Sequence, residues 1–289
     1  MKLALGSVQF GMRYGVANFQ GRVSFDDARI IIQRAQLLGM DTLDTAINYG
    51  DSEYVLGQLG IDTWKTITKL PAVPNDCQDV VNWVHNQIGQ SMVRLSINKF
   101  YGVLLHQPGQ LLGSKGHKLL TALKDIKAKG ITQKIGVSVY NSFELDMLFD
   151  VFEPDIVQAP LNILDREFLE SGWATRLHSA GVEVHTRSVF LQGLLLMHPS
   201  QRPEKLSTRW SDVWGVWDLW LERSGLTALQ ACLRYVNNVS EIDRVIVGVD
   251  SIDQLNQVVE ATPGELESLP NFKKLKDSRL INPSSWNQL

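Results

Sequence analysis

The chain repeats one hydropathy pattern along nearly its whole length. A short apolar run is followed by a longer stretch in which apolar residues recur at intervals of three and four. The runs at 3–8, 42–45, 66–70, 101–106, 134–139, 156–159, 182–187 and 244–249 are rich in Val, Ile and Leu, as strands covered on both faces are. The stretches at 25–38, 52–59, 76–95, 118–129, 142–152, 173–180, 227–237 and 251–260 read as amphipathic helices. Gly39 and Gly130 stand where two helices should stop, and Asn141 to Glu144 (NSFE) has the spacing of a capping box. Strand–helix units in this number predict an α/β fold: a closed (β/α)8 TIM barrel of eight parallel strands.

No Pro/Gly/Ser linker or low-complexity tract breaks the pattern, so residues 1–289 are expected to form one domain. Two segments exceed what a barrel needs. Residues 197–224 form a long loop after the seventh strand, and residues 262–289 form a C-terminal tail. Both are expected over the barrel mouth, where active sites of this fold are built. Trp210, Trp214, Trp217 and Trp220 fall at helical spacing within the loop. The favoured reading is a short helix packed onto the barrel by its aromatic face, with a pocket wall or an oligomer contact as the other. Tyr14 and Trp286 are further candidates for reaching the pocket.

Charge and composition narrow the function classes. Lys and Arg number 28 against 31 Asp and Glu, a net charge of −3, and no basic run stands out. That excludes wrapping nucleic acid as a main role. With 44% hydrophobic residues the chain is globular. No uncharged apolar run approaches the roughly 18 residues of a membrane span, and the N-terminus is a poor secretory leader. Cys77 and Cys232 lie far apart, which fits reduced thiols in a cytoplasmic protein. No CxxC, HExxH or His/Cys cluster points to a metal.

Functional groups of a barrel gather at the C-terminal ends of its strands. There the chain carries Asp44 (strand two), Lys69 (strand three) and His106 (strand four), with Tyr49 five residues past Asp44. A buried Lys needs a carboxylate, and Asp44 can supply it. A cation beside Tyr49 is expected to lower its phenol pKa and make it a proton donor and acceptor. A neutral imidazole alongside can hydrogen-bond a carbonyl oxygen. The remaining histidines lie on expected helices, loops or a strand interior.

These residues carry a resemblance. LDTAINYGDSEYVLG (43–57), ITKL (67–70), GVLLHQP (102–108), KIGVSVYN (134–141), DIVQAPLNILDR (155–166), FLQGLLL (190–196) and VIVGVDSIDQL (245–255) resemble the aldo-keto reductase superfamily, in its order and across the barrel. The N-terminal LALGSVQFGMRYG is similar to the family's first strand and loop. The resemblance implies a catalytic tetrad of Asp44, Tyr49, Lys69 and His106, with Tyr49 the general acid in carbonyl reduction and the base in alcohol oxidation. It implies NADPH or NADH as hydride source. Ser138 and Gln158 would hold the nicotinamide carboxamide. Ser188, Gln192 and Gly193 would lie along the pyrophosphate, and Gly248, Ser251 and Gln254 at the adenosine end. The family binds its dinucleotide without a GxGxxG turn.

Three positions depart from the family pattern. Val139 follows Ser138 where many relatives have Asn. Arg187 stands where many have an aromatic residue stacked on the nicotinamide, so it joins the cofactor-binding candidates or contacts substrate. The segment at the adenosine end, GVDSIDQLNQ, holds Asp250 and Asp253 and no basic residue, which leans towards NADH or dual use where the family's habit favours NADPH. The reading is a cytoplasmic oxidoreductase, monomer or small homo-oligomer, moving a hydride between NAD(P)H and an aldehyde or ketone. Its small-molecule carbonyl substrate is expected to be sugar-like, from the polar first loop and Arg187, or a flat apolar aldehyde if the Trp cluster lines the pocket. Two alternatives stand beside it: a non-catalytic dinucleotide-binding redox sensor, and a barrel lyase using Lys69 as a Schiff-base nucleophile.

Overall fold

The computed structural model describes residues 1–272 and 277–288. Eight parallel strands close into a barrel in sequence order. They are β1 (Leu3–Gly6), β2 (Thr42–Asp44), β3 (Lys65–Leu70), β4 (Phe100–Leu105), β5 (Thr132–Ser138), β6 (Ile156–Pro160), β7 (Glu183–Arg187) and β8 (Arg244–Gly248). The ring is completed by β1 on β8, with Gly6 opposite Gly248. The outer helices are α1 (Phe25–Leu37), α2 (Ser52–Leu59), α3 (Val80–Leu95), α4 (Gly116–Ala128), α5 (Ser142–Leu148), α6 (Trp173–Ser179), α7 (Ser211–Ser224), α8 (Ala228–Asn237) and α9 (Ile252–Ala261). Among the described residues no helix is long and apolar enough to cross a membrane.

Strand alternation sorts side chains between the lumen and the helices. On β3, Ile67 joins Leu104 and Ile156 in a small cluster separate from the main core, while Thr68 donates to Glu53 of α2 at 2.8 Å. Lys69, two residues on from Ile67, therefore shares its face, at the upper end of the strand. The larger core lies between strands and helices, where residues such as Leu43, Val103 and Val157 are fully buried.

Several helix boundaries differ from expectation, each for a local reason. The helix expected from residue 76 starts at Val80, because Asp79 is its cap and accepts from the Asn82 amide. The helix expected to run to 152 ends at Leu148, where a turn forms (Val151 N to Leu148 O, 2.9 Å), shortly before Pro154. The expected capping box at Asn141 is half built. Asn141 accepts from the Glu144 amide, but the Glu144 carboxylate takes the amide of Tyr140. A complete box instead starts α8, between Thr227 and Gln230. Gly39 and Gly130 end their helices in left-handed geometry, as expected.

The segment after β7 is largely helical, and its tryptophans pack. Trp214 donates to Leu206 O and Trp217 to Leu195 O, both rings are buried, and Trp217 stacks on Trp220 at 5.7 Å. The tail closes on this segment. Lys205 donates to Trp286 O and Trp210 to Asp277, while Trp286 is buried with its indole N–H on Leu280 O. Trp286 thus serves the packing of the tail and is absent from the lining of the barrel-mouth cleft, contrary to expectation; Tyr14 does line it.

Candidate active site

The loop after β2 lies across Gly11, and that contact requires a glycine. A Cβ at Gly11 would stand 1.8 Å from the carbonyl oxygen of Tyr49. Ser52, at the far end of the loop, donates to the carbonyl of Ser7 at 2.9 Å. Tyr49 is therefore set by close packing against the chain leaving β1.

Asp44 ends β2 and Lys69 stands near the end of β3. Their ion pair is 2.6 Å long, with Lys69 only 1% exposed, and Lys69 also donates to Thr45 O at 3.0 Å. The second oxygen of Asp44 accepts from Gln158 of β6 at 2.7 Å. The carboxylate thus ties three strands together. Burial pulls the Lys69 pKa down, and Asp44 counters it.

The Lys69 ammonium sits over the face of the Tyr49 ring, 5.1 Å from its centroid. His106, just past β4, meets that ring edge-on at 6.0 Å. Four residues from three strand ends and one loop are thereby brought together, as expected. The tuning of Tyr49 differs. Its pKa is raised, first by burial and then by the Asp44 charge, with Arg187 opposing. The ammonium lies on the ring face, where it does not stabilise the phenolate oxygen directly. His106 is lowered to about 4 by burial and by the charges of Lys69 and Arg187, so its imidazole is neutral at ordinary pH.

A cleft of about 410 Å³ opens from Asp44 and Tyr49 across the mouth of β7 and β8. Of the expected cofactor residues, Arg187, Ser188, Gln192, Gly193, Gly248 and Gln254 line it. Ser138, Gln158 and Ser251 are not part of its lining. Ser251 caps α9 and Gln158 stands behind Asp44. Ser188, Leu191, Gln192 and Gly193 all have positive φ, a concentration of left-handed backbone at one cleft wall.

Residues 14–19 bridge the cleft. Val16 donates its amide to Gln192 O at 3.1 Å, and Asn18 donates to Asp250 at 3.1 Å. Gly193 must lack a Cβ here, since one would lie 2.5 Å from that of Ala17. Gln9, Asn18 and Gln257 line the same cleft and were not singled out from the sequence. Gln9 had one available signal, a polar residue inside the apolar run of the first strand and turn.

Two unmet acceptors suit a ligand that carries an amide, as a nicotinamide does. The Oε1 of Gln158 is buried with no hydrogen-bond partner, next to the Asp44–Lys69 pair. An amide N–H₂ of a ligand would satisfy it. Gln9 Oε1 is a second orphaned acceptor in the cleft.

Comparison with known proteins agrees in kind. The model of the Aldo/keto reductase family matches residues 2–270. L-galactose dehydrogenase of Arabidopsis thaliana is 27% identical, over 92% of this chain and 87% of its own length. An uncharacterized oxidoreductase of Mycobacterium tuberculosis is 29% identical over 48% of this chain, and that match spans 42% of the relative's length. The structure of an aldo-keto reductase from Bacillus halodurans in its holo form superposes with a TM-score of 0.71 at 20% identity, covering 92% of this chain and 88% of that one.

Proposed function

The chain belongs to the aldo/keto reductase family, and from that premise we propose that it reversibly transfers a hydride between a nicotinamide cofactor and the carbonyl of an aldehyde or ketone. The observation that carries this reading is the buried Asp44–Lys69 pair, 2.6 Å long, set against Tyr49 and His106 at the end of the cleft. The reduced nicotinamide supplies the hydride when bound. Gln158 Oε1 and Ser138 would hold its carboxamide, and Ser188 to Gly193 its pyrophosphate.

The protein's own groups then handle the carbonyl oxygen. Tyr49 rests protonated, since its pKa lies above the ordinary phenol value. It can therefore give its proton to the oxygen as negative charge develops there. Neutral His106 offers a hydrogen bond to the same oxygen and orients the carbonyl. Arg187 opposes the rise of the Tyr49 pKa, and its positive charge lowers the cost of losing the proton. In the oxidative direction Tyr49 takes the proton back. Lys69 as a Schiff-base nucleophile is disfavoured, because its ammonium is 1% exposed and committed to Asp44 and Thr45 O.

The adenosine end favours NADH. Asp250 lines the cleft there, positioned by Asn18, and Arg187 is the lone Lys or Arg lining it among the described residues. A 2′-phosphate would meet a carboxylate with no countercharge, whereas a ribose hydroxyl can donate to it. The sugar-like substrate expected from the first loop is in keeping with the name of the Arabidopsis relative.

Titration with NADH and NADPH, followed by tryptophan quenching and nicotinamide emission, tests the reading. NADH should bind more tightly, and Asp250→Arg should shift the ratio towards NADPH by about tenfold or more. Failure of both to bind would remove the reductase reading.

A further inference from the structure

Arg187 has a setting that carbonyl reduction alone does not require. Its backbone ends β7, opposite Pro160 of β6. Its side chain crosses the end of β6 to reach β5, where Nη2 donates to Val139 O at 2.9 Å. The guanidinium lies over the Tyr140 ring at 4.6 Å, and Nη1 makes a longer bond of 3.3 Å to Ser188 Oγ. The head group therefore points towards β5, away from the adenosine segment on β8. Its plane is fixed from one face by Tyr140 and along one edge by Val139 O. A guanidinium has five N–H groups, and these two acceptors leave the others free to serve a ligand.

The charge balance is the second observation. Arg187 lines the cleft together with Tyr49 and Asp44. Asp44 is committed to Lys69 and Gln158. That pair is self-compensating, so the catalytic end of the cleft keeps one positive charge in excess. The bonds made by Arg187 go to a carbonyl oxygen, a hydroxyl and a ring, and none of these neutralises it. Asp165 is near enough to interact electrostatically, but it is held towards its neutral form, with a pKa pushed up to about 7 by burial. A half-buried cation that lines the cleft beside Tyr49, its charge felt by Tyr49, Lys69 and His106, calls for an anion from outside.

We propose that Arg187 is the substrate-recognition residue of this enzyme, binding a carboxylate carried by the carbonyl substrate, so that the preferred substrates are aldehyde or ketone acids. The inference rests on the reductase reading and gives it a substrate class. A carboxylate matches the planar edge of a guanidinium in a two-point contact, which a hydroxyl cannot do. Stacking on Tyr140 pre-orders the donor, so little side-chain freedom is lost on binding. A carboxylate a few bonds from the carbonyl would reach Arg187 while the carbonyl oxygen stays at Tyr49 and His106.

The test compares matched aldehydes with the cofactor-loaded enzyme. The series comprises 2-, 3- and 4-carboxybenzaldehyde, glyoxylate and succinic semialdehyde, each beside a neutral analogue with a methyl or amide group in place of the carboxylate. At least one acid should exceed its neutral partner in kcat/KM by about tenfold or more, mostly through KM. Arg187→Met should collapse that ratio to about one. Arg187→Lys should restore part of it, because charge returns without the planar fork. The ratio between paired substrates cancels any effect of the substitution on Tyr49 or on the cofactor.

If no acid is preferred to its partner, or if Arg187→Met lowers both members of every pair equally, the assignment is overturned. A weakened grip on the cofactor with an unchanged acid-to-neutral ratio would place Arg187 on the dinucleotide instead. If neither acid nor neutral aldehydes are reduced with either nicotinamide, the reductase reading itself has failed, and that result is distinct from the loss of selectivity.

Discussion

The two ends of the barrel hold the same four kinds of side chain, wired in opposite ways. At the C-terminal ends of the strands are Asp44, Tyr49, Lys69 and His106. At the N-terminal ends are Glu183, Tyr101, Lys134 and His185. In the lower group every polar side chain turns to the carboxylate. Tyr101 donates to Glu183 at 2.7 Å, Lys134 pairs with it, and His185 meets its other oxygen at 2.7 Å. Glu183 is held far below the usual carboxylate range, and Lys134 is raised. In the upper group, among the described residues, only Lys69 and Gln158 reach the carboxylate, while Tyr49 and His106 present their polar atoms elsewhere. A closed network serves stability. An open one keeps donors free for a ligand, at the cost of burying Lys69 with a lowered pKa. Residue type therefore does not separate structure from chemistry here; what distinguishes the ends is whether the tyrosine and histidine turn to the carboxylate or away from it.

The contrast is broken most directly at the two phenols. Tyr49→Phe should lower kcat for carbonyl reduction by about 10³-fold, within the usual range for general acid–base groups, with dinucleotide affinity retained. Tyr101→Phe removes the same hydroxyl from the closed network. It should leave kcat within about twofold and cost about 1 kcal/mol of stability, the worth of one hydrogen bond. Steady-state kinetics and urea unfolding of both variants check this. A rate loss in Tyr101→Phe matching that in Tyr49→Phe would erase the distinction.

The lysines come next. Lys69→Met leaves Asp44 buried and without its cation, which should destabilise the fold by about 3–5 kcal/mol and lower activity as well. Lys134 is 32% exposed on its side chain, and Glu183 keeps Tyr101 and His185 as partners. Lys134→Met should accordingly cost no more than about 1–2 kcal/mol. Adding Asp44→Asn to Lys69→Met should recover stability but not activity, which separates the electrostatic penalty from the catalytic one. Equal stability losses in the two single variants would contradict the open and closed description.

The two ends were also unequally legible in the sequence. Asp44, Lys69 and His106 could be placed because each closes an apolar run, and the fold sends the ends of such runs to one face. Tyr49 could be named from its place in the loop after Asp44, but its seat depends on a close approach to Gly11 that local pattern does not reveal. The lower network was invisible. Tyr101 and Glu183 are separated by 82 positions, and no spacing rule links residues at the starts of β4, β5 and β7. The expectation for the Tyr49 pKa missed because it took a nearby cation as decisive. The ammonium lies over the ring, and burial together with Asp44 outweighs it. Trp286 was misplaced because an aromatic residue near a chain end carries no signal of which surface it meets.

Acid titration offers the smallest and most discriminating comparison. His106 has a native pKa of about 4, below the ordinary imidazole value of about 6.5. Between these pH values the unfolded chain binds a proton that the native protein refuses, so stability falls as pH drops through that interval. Glu183 is also lowered in the native state, from a carboxylate value near 4.3. Its contribution is complete above that pH and is lost only as the pH falls below it. The His106 contribution should therefore be lost first, from about pH 6.5 downwards, and the Glu183 contribution only below about pH 4.3. Urea unfolding measured from pH 7 to pH 3.5 should show His106→Gln flattening the upper part of the stability curve by on the order of 1 kcal/mol at pH 5. Glu183→Gln should lower stability at pH 7 and flatten only the acid limb. If His106→Gln leaves the slope between pH 6.5 and 4.5 unchanged, the imidazole is not held neutral by its surroundings, and the open end of the barrel loses the property that fits His106 to orient a carbonyl.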